Sequence, residues 1–317
     1  MTVSIVIPAF NAVRWLPETL ASAASQSLAG LEIIVVDDGS TDGTGDFVTR
    51  TNPQVRLIRT DNRGCSAARS LGAEQARGEY IKYLDADDLL LPGMVERQVK
   101  LARETEADVV YGNWQRKEER LGRWVLADEV RRRIEDVDAD PEVSFFTSMW
   151  CPTGAYLWRT EFLRLRHPGW HPQLPVIQDA RFALDAARVG GRFVHDSANG
   201  ILYRVHQSGS VSTRSRLAFL QDCRCNANEI ERAWCAGGQL APSRRQALLR
   251  VWSHVTRGAF QVDFALFKEC WNHLQGLAPG FIPPGGRGFN GLARVLGYPR
   301  AEAIAARIRR AKRVFTK

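Results

Sequence analysis

The stretch YIKYLDADD (80–88) is an apolar run that ends in three carboxylates within four positions, Asp85, Asp87 and Asp88. Like charges this close repel one another, and each loses hydration where it is buried, so something must compensate them. The run is the fourth of its kind. VSIVI (3–7), EIIVV (32–36) and VRLIR (55–59) precede it, each short, rich in β-branched residues and closed by a polar or proline-bearing turn. Amphipathic segments lie between them. Val13, Leu16, Leu20 and Ala24 recur at helical spacing over 13–28, with Pro17 tolerated only near that helix's start, and 65–77 reads as a helix before Gly78. Strand alternating with helix at this spacing predicts an α/β fold with a mainly parallel sheet and right-handed crossovers. In such sheets ligands bind beyond the carboxyl ends of the strands. Asp37–Asp38 closes the second strand and Asp85–Asp87–Asp88 the fourth, so the chain puts two acidic tips where a ligand belongs.

Composition frames this reading. The chain has 317 residues, 44% hydrophobic and 25% charged, as a folded globular protein does. The six cysteines form no CxxC pair and show no zinc spacing, so they read as reduced thiols in a cytoplasmic setting. The start, MTVSIVIPAFN, lacks a basic region and its apolar run stops at Pro8, so no signal peptide is expected, and no apolar run is long enough to span a bilayer. The net charge of +8 is concentrated at the end: Gly297 to Lys317 holds seven Lys/Arg and one acid. The rest is nearly balanced, which argues against nucleic acid as a partner.

Clustered carboxylates suit a hard divalent cation, magnesium or manganese, which is often held by one or two carboxylates together with substrate phosphates. Asp85 and Asp87 are two apart and share a face in extended chain. The alternative is that Asp87 or Asp88 caps a helix beginning in LLLPGMVERQV. The DxDxDG spacing of a calcium loop is missing, and so are GxGxxG after the first strand and GxxxxGK[ST] anywhere. Phosphate would then be met by a metal and by side chains such as Arg63 and Arg69; Lys82 reads as a solvated surface charge. Farther on, VVYGNW and GAYLW look like strands, QDARFALDAARVG (178–190) like a helix, and NGILYRVHQSGSVS like a strand and a polar loop. After residue 215 the pattern is helical, with Trp234, Trp252 and Trp271 expected in its core.

Taken together, SIVIPAFN, VVDDGSTDGT, NRGCSAARS and YLDADD resemble the inverting family 2 glycosyltransferases of the GT-A fold, strongly over the first hundred residues and more loosely to about 213. QDARF resembles the helix carrying that family's base, and YRVHQSGSVS its closing loop. The resemblance implies a nucleotide-sugar donor, usually a UDP-sugar, and a glycan or lipid-linked acceptor in cell-surface polysaccharide synthesis. It further implies that Asp38 binds the donor base with Pro8, Ala9 and Phe10 around it, that Arg69 and Asp85 lie at the nucleotide, that Asp87 and His206 reach a Mg or Mn ion, and that Asp179 is the general base. Gln178 stands where many members carry Glu. On this reading 1–110 is the donor half, 111–215 the acceptor half and 216–317 a helical extension.

Two rivals stay open at this stage. One is a nucleotidyltransferase, although PAFNAVRWL lacks the glycines such a loop needs. The other is a non-catalytic nucleotide-sugar binder or membrane-docked scaffold. The tail feeds the second: Ala301, Ile304, Ile308, Ala311 and Phe315 form one helical stripe amid Arg and Lys, suited either to an anionic membrane at the inner face of the cell membrane or to packing on the body.

Overall fold

The computed structural model describes residues 2–120, 123–131, 140–206 and 215–315. They divide into two compact units, Met1–Ser210 and Val211–Lys317. The first unit is built on a sheet that, among the described residues, has nine strands. β1 (Val3–Ala9) lies between β2 (Leu31–Asp38) and β4 (Tyr80–Tyr83), with β3 (Arg56–Thr60) outside β2, and all of these pair in parallel. Every residue of β1 is buried, as a central strand covered on both faces requires. Burying Ile5, Val6 and Ile7 contributes about 2 kcal/mol each. α3 (Cys65–Gln75) packs over β1 so closely that a Cβ on Gly72 would stand 2.3 Å from Val6 Cγ1. α1 (Leu16–Ala24) is shorter than the 13–28 pattern suggests, and Pro17 falls in its first turn, where its missing N–H costs nothing.

Beyond β4 the sheet changes character. β8 (Tyr156–Arg159) runs antiparallel to β4, and β6 (Val109–Arg120) runs antiparallel to β8. β9 (Phe193–Val205) is parallel to β6; β7 (Arg123–Arg131) and the two-residue β5 (Leu89–Leu90) pair antiparallel with β6 and β9. Parallel pairing thus prevails where strands and helices alternate, and the second half is mixed.

β5 overturns the capping alternative for the acidic tip. After Asp88 the chain forms this strand, turns at Pro92 and Gly93 (φ 70°), and only then enters α4 (Met94–Thr105), so neither Asp87 nor Asp88 caps a helix. Lys82 is also a correction. It is fully buried rather than solvated, and its Nζ donates to Gln98 Oε1 (2.7 Å) and to the Tyr156 carbonyl (3.0 Å). Because β4 is central, with a helix over each face, even its charged position points into protein.

The second unit is helical: α8 (Arg216–Cys235), α9 (Pro242–Ala259), α10 (Phe264–Leu277), α11 (Arg287–Leu296) and α12 (Tyr298–Phe315). Trp234 and Trp252 are buried within it, and Trp271 stacks on Tyr298 at 4.9 Å. Among the described residues no disulfide joins any of the six cysteines.

Burial pushes Lys82 down to about 7 from 10.5, with the charge of Asp196 opposing the change and Arg97 adding to it. Between those two values the unfolded chain holds a proton that the folded chain lacks, so this group makes stability rise with pH across the window. The unfolding free energy of the protein minus that of Lys82→Met should therefore rise from about pH 7 to about pH 10.5, read by urea unfolding at a series of pH values; a constant difference would contradict this burial.

Candidate active site

At the carboxyl edge of the parallel strands, Pro8 and Ala9 end β1 inside the sheet, and Phe10 emerges with 46% of its surface exposed. Asp38, the last residue of β2, is buried. One of its oxygens accepts from the Arg63 amide (2.9 Å) and the other from the Gly64 amide (2.8 Å). Gly64 has φ +89°, a conformation that glycine adopts freely and that turns the chain into α3. Asp37 accepts from the Ser40 amide (3.0 Å).

Arg69 projects from α3 into the centre of the edge and is 4% exposed. Its guanidinium pairs with Asp85, donates to Gln178 Oε1 (2.9 Å) and to Thr153 Oγ1 (3.4 Å), and lies over the Trp170 ring at 4.6 Å. Ser66, one helical turn earlier, also donates to Gln178 Oε1 (2.7 Å). Gln178 and Asp179 open α7 (Gln178–Arg188), whose N-cap is Ile177, so Asp179 sits in the first turn and does not cap the helix. Asp179 Oδ2 accepts from the Trp150 indole N–H (2.6 Å) and Oδ1 from the Ala180 amide (2.8 Å). Withdrawal from water raises the Asp179 carboxyl above its ordinary value; the Trp150 and Ala180 donors and the Arg69 charge pull the other way, and Asp85 adds repulsion.

A second group lies beside the first. Asp87 Oδ2 is 2.9 Å from His206 Nε2, and the imidazole stacks on Trp15 with centroids 4.7 Å apart. Asp88 is buried, with Oδ1 accepting from the Arg204 amide (2.9 Å). Burial first, then repulsion from Asp87 and Asp85, pushes Asp88 well above the usual carboxylate range. Arg204 binds the assembly together. Its side chain donates to the Asp87 carbonyl, to Glu18 Oε2 (3.1 Å), to the Trp15 carbonyl (3.1 Å) and to Thr19 Oγ1 (2.9 Å).

The structure thus ties Arg69 to Asp85 and to Gln178, the residue before Asp179, and pairs Asp87 with His206. Pro8, Ala9, Phe10 and Asp38 occupy the neighbouring strand ends, and Arg63 meets Asp38 through its backbone. Among the described residues no three His, Cys, Asp or Glu side chains form a group able to hold a metal ion by themselves. Asp87 and His206 offer an oxygen and a nitrogen on adjacent atoms, and this donor set fits a hard divalent cation whose remaining ligands come from phosphate and water.

Sequence reasoning missed Trp15, Thr153, Trp150 and Arg204. Only Arg204 left a signal: it stands two residues before His206, on the same face of an extended strand.

Comparison with known proteins bears on the family and the fold. Residues 4–161 match the family described as Glycosyl transferase family 2. The glycosyltransferase GlyG of Streptococcus pneumoniae is 38% identical over 117 residues, covering 35% of this chain and 38% of GlyG. The uncharacterized glycosyltransferase EpsJ of Bacillus subtilis is 27% identical over 200 residues, covering 60% of this chain and 57% of EpsJ. The chain therefore spans less than two thirds of these relatives. Among solved structures, residues 1–349 of S. aureus TarS in complex with UDP-GlcNAc superpose with a TM-score of 0.66 at 19% identity, over 88% of this chain and 82% of that one. The mannosyltransferase PcManGT of Pyrobaculum calidifontis, in complex with GDP-Man and Mn2+, gives 0.54 at 20% identity, over 95% of this chain and 86% of that one. At these identities the likeness establishes the fold, which is GT-A with a helical C-terminal region.

Arg204→Met would leave Glu18 and the Asp87 carbonyl without their buried donor and should destabilise the protein by about 3 kcal/mol in urea unfolding. Arg204→Lys should recover less than half of the loss, because one ammonium cannot span partners that a planar fork reaches together; full recovery would overturn that geometry.

Proposed function

The chain belongs to glycosyl transferase family 2 through residues 4–161, and on that premise we propose that it is an inverting glycosyltransferase moving a sugar from a nucleotide-sugar, a UDP-sugar by preference, to a hydroxyl of a glycan or lipid-linked acceptor. The observation that carries this reading is the bridge Asp85–Arg69–Gln178, which ties the acidic tip of β4, two residues before Asp87, to the start of α7, where Asp179 follows Gln178.

The roles follow from charge. Asp38, with Pro8, Ala9 and Phe10, holds the donor base; fixed by two amide donors, its carboxylate still has lone pairs for an N–H of the base. Arg69 and Asp85 lie at the nucleotide as an ion pair, the guanidinium keeping the Asp85 carboxylate from adding its repulsion to that of the diphosphate. Asp87 and His206 would hold a Mg or Mn ion, which when bound supplies Lewis-acid stabilisation of the departing diphosphate. Asp179 takes the proton of the acceptor hydroxyl as its oxygen bonds the anomeric carbon. The bond from that carbon to the diphosphate oxygen breaks in the same step, the nucleoside diphosphate leaves, and the configuration inverts. Residues 1–110 are read as the donor half, 111–215 as the acceptor half and 216–317 as the helical extension.

The second unit adds a surface. In α12, Tyr298, Ala301 and Glu302 are buried on one side. Ile304 (37% exposed) and Ile308 (52%) share another face with the exposed Arg300 and Arg307. Ala301 therefore leaves the expected stripe for the packed side, and the side chains of Ala311 and Phe315 lie outside the described residues. Among the described residues no helix is long and apolar enough to cross a membrane. A face of isoleucine and arginine suits shallow contact with anionic lipid at the inner face of the cell membrane, where each basic residue contributes about 1 kcal/mol.

Release of UDP from a panel of UDP-sugars with manganese present tests the main reading. Asp179→Asn should lower turnover by at least about a thousandfold, Asp87→Ala should weaken the metal dependence, and a proton NMR spectrum of the product should show the inverted anomer. A fully active Asp179→Asn or a retained anomer would refute it. For the tail, the Ile304→Asp/Ile308→Asp variant should lose sedimentation with phosphatidylserine vesicles at low salt; unchanged sedimentation would exclude this face.

A further inference from the structure

Trp150 lies in the short segment between α5 (Pro141–Thr147) and the 3-10 turn Thr153–Ala155. Two rings hold it edge-on: Trp114 of β6, with centroids 5.1 Å apart and planes at 90°, and Tyr203 of β9, at 5.7 Å and 82°. These strands are neighbours in the sheet, so the indole is clamped by the scaffold although its own segment is neither helix nor strand. The one polar atom of the ring, its N–H, is 2.6 Å from Asp179 Oδ2. The Ala180 amide alone holds Oδ1, and without a second donor the carboxylate would still be free to swing about that bond. The clamped N–H removes that freedom.

From this geometry we infer that Trp150 is a positioning residue for the base Asp179: it fixes which carboxylate oxygen faces the acceptor hydroxyl and favours the ionised form that accepts the proton. The inference rests on the assignment of Asp179 as base and goes beyond it, because no motif in the sequence singles Trp150 out. A donor aimed at a carboxylate stabilises the anion more than the acid. It acts here with the Ala180 amide and the Arg69 charge, against enclosure and the Asp85 charge. The other groups around Asp179 are the neutral Gln178, which shares Arg69, and the Tyr156 phenol, whose ionisation burial suppresses before the charges of Cys151 and Asp179 do. None of these can replace the indole. Ala180 N–H belongs to the next residue and binds Oδ1, and the Arg69 guanidinium bonds Asp85, Gln178 and Thr153 rather than the Asp179 carboxylate.

Trp150→Phe keeps a ring between Trp114 and Tyr203 and deletes the N–H. Its kcat should fall roughly tenfold with little change in KM for the donor, and the acid limb of its kcat/KM profile should move to higher pH. Trp114→Phe disturbs the same ring cluster and leaves the N–H in place; it should lower Tm without moving the acid limb. Measured beside them, Asp179→Asn separates the two levels. If Asp179→Asn is inactive while Trp150→Phe keeps the native kcat and acid limb, the positioning role is overturned and the base stands. If Asp179→Asn is itself active, the base assignment falls and this inference with it. An acid limb that moves equally in Trp114→Phe would reduce Trp150 to packing and also overturn the proposal.

Discussion

The architecture depends on one constraint: a sheet that binds its ligand at the carboxyl edge must keep several acids there without letting them drive one another apart. Arg69 meets that constraint at the centre. Nearly all of its surface is withdrawn from water, and its guanidinium spans the acidic tip of β4, the start of α7 and the turn at Thr153. A buried guanidinium with one partner would be a liability, since desolvation of both charges offsets most of their attraction. Distributed over a carboxylate, an amide oxygen and a hydroxyl, and seated on the Trp170 ring, it becomes a fixed corner from which three elements take their positions.

Arg204 solves the same problem from the opposite side by different means. It touches the acids mainly through backbone, giving its side chain to the Asp87 carbonyl and its own amide to Asp88. The Asp87 carboxylate is thereby left to His206. The two arginines divide the tip: one neutralises Asp85 directly, and the other holds Asp87 by its carbonyl and, through its own amide, Asp88 by its carboxylate. Burial, with repulsion from Asp87 and Asp85, also disfavours charge on Asp88.

The sequence made part of this legible, and the reasons are physical. Continuous β-branched runs separated by amphipathic segments leave almost one solution, so the parallel strands β1 to β4 and the acidic tips at their ends could be read directly. The Asp85–Asp87–Asp88 spacing announced itself because repulsion between like charges makes it rare without a purpose. Lys82 was misread because burial is a property of the sheet: a lysine in a strand looks solvated until α4 and β8 bring Gln98 and the Tyr156 carbonyl to it. The capping role for Asp88 failed for a related reason, since LLL reads as the opening of a helix and becomes a strand only when β9, more than a hundred residues later, arrives to pair with it.

Trp150 shows why such gaps fall where they do. A residue's local pattern encodes which face of its own element it occupies, and Trp150 lies in neither helix nor strand. Its position is set by two rings from distant strands, and its single donor is set by them in turn. Groups that touch a ligand directly tend to sit on short, dense motifs because several must converge on one small molecule. Groups that aim them can come from anywhere the scaffold is rigid, and rigidity here comes from long-range pairing of β6 with β9. The acids of this site therefore fall on a few short stretches, 37–38, 85–88 and the start of α7, while the residues that hold them are dispersed singly between Trp15 and Arg204.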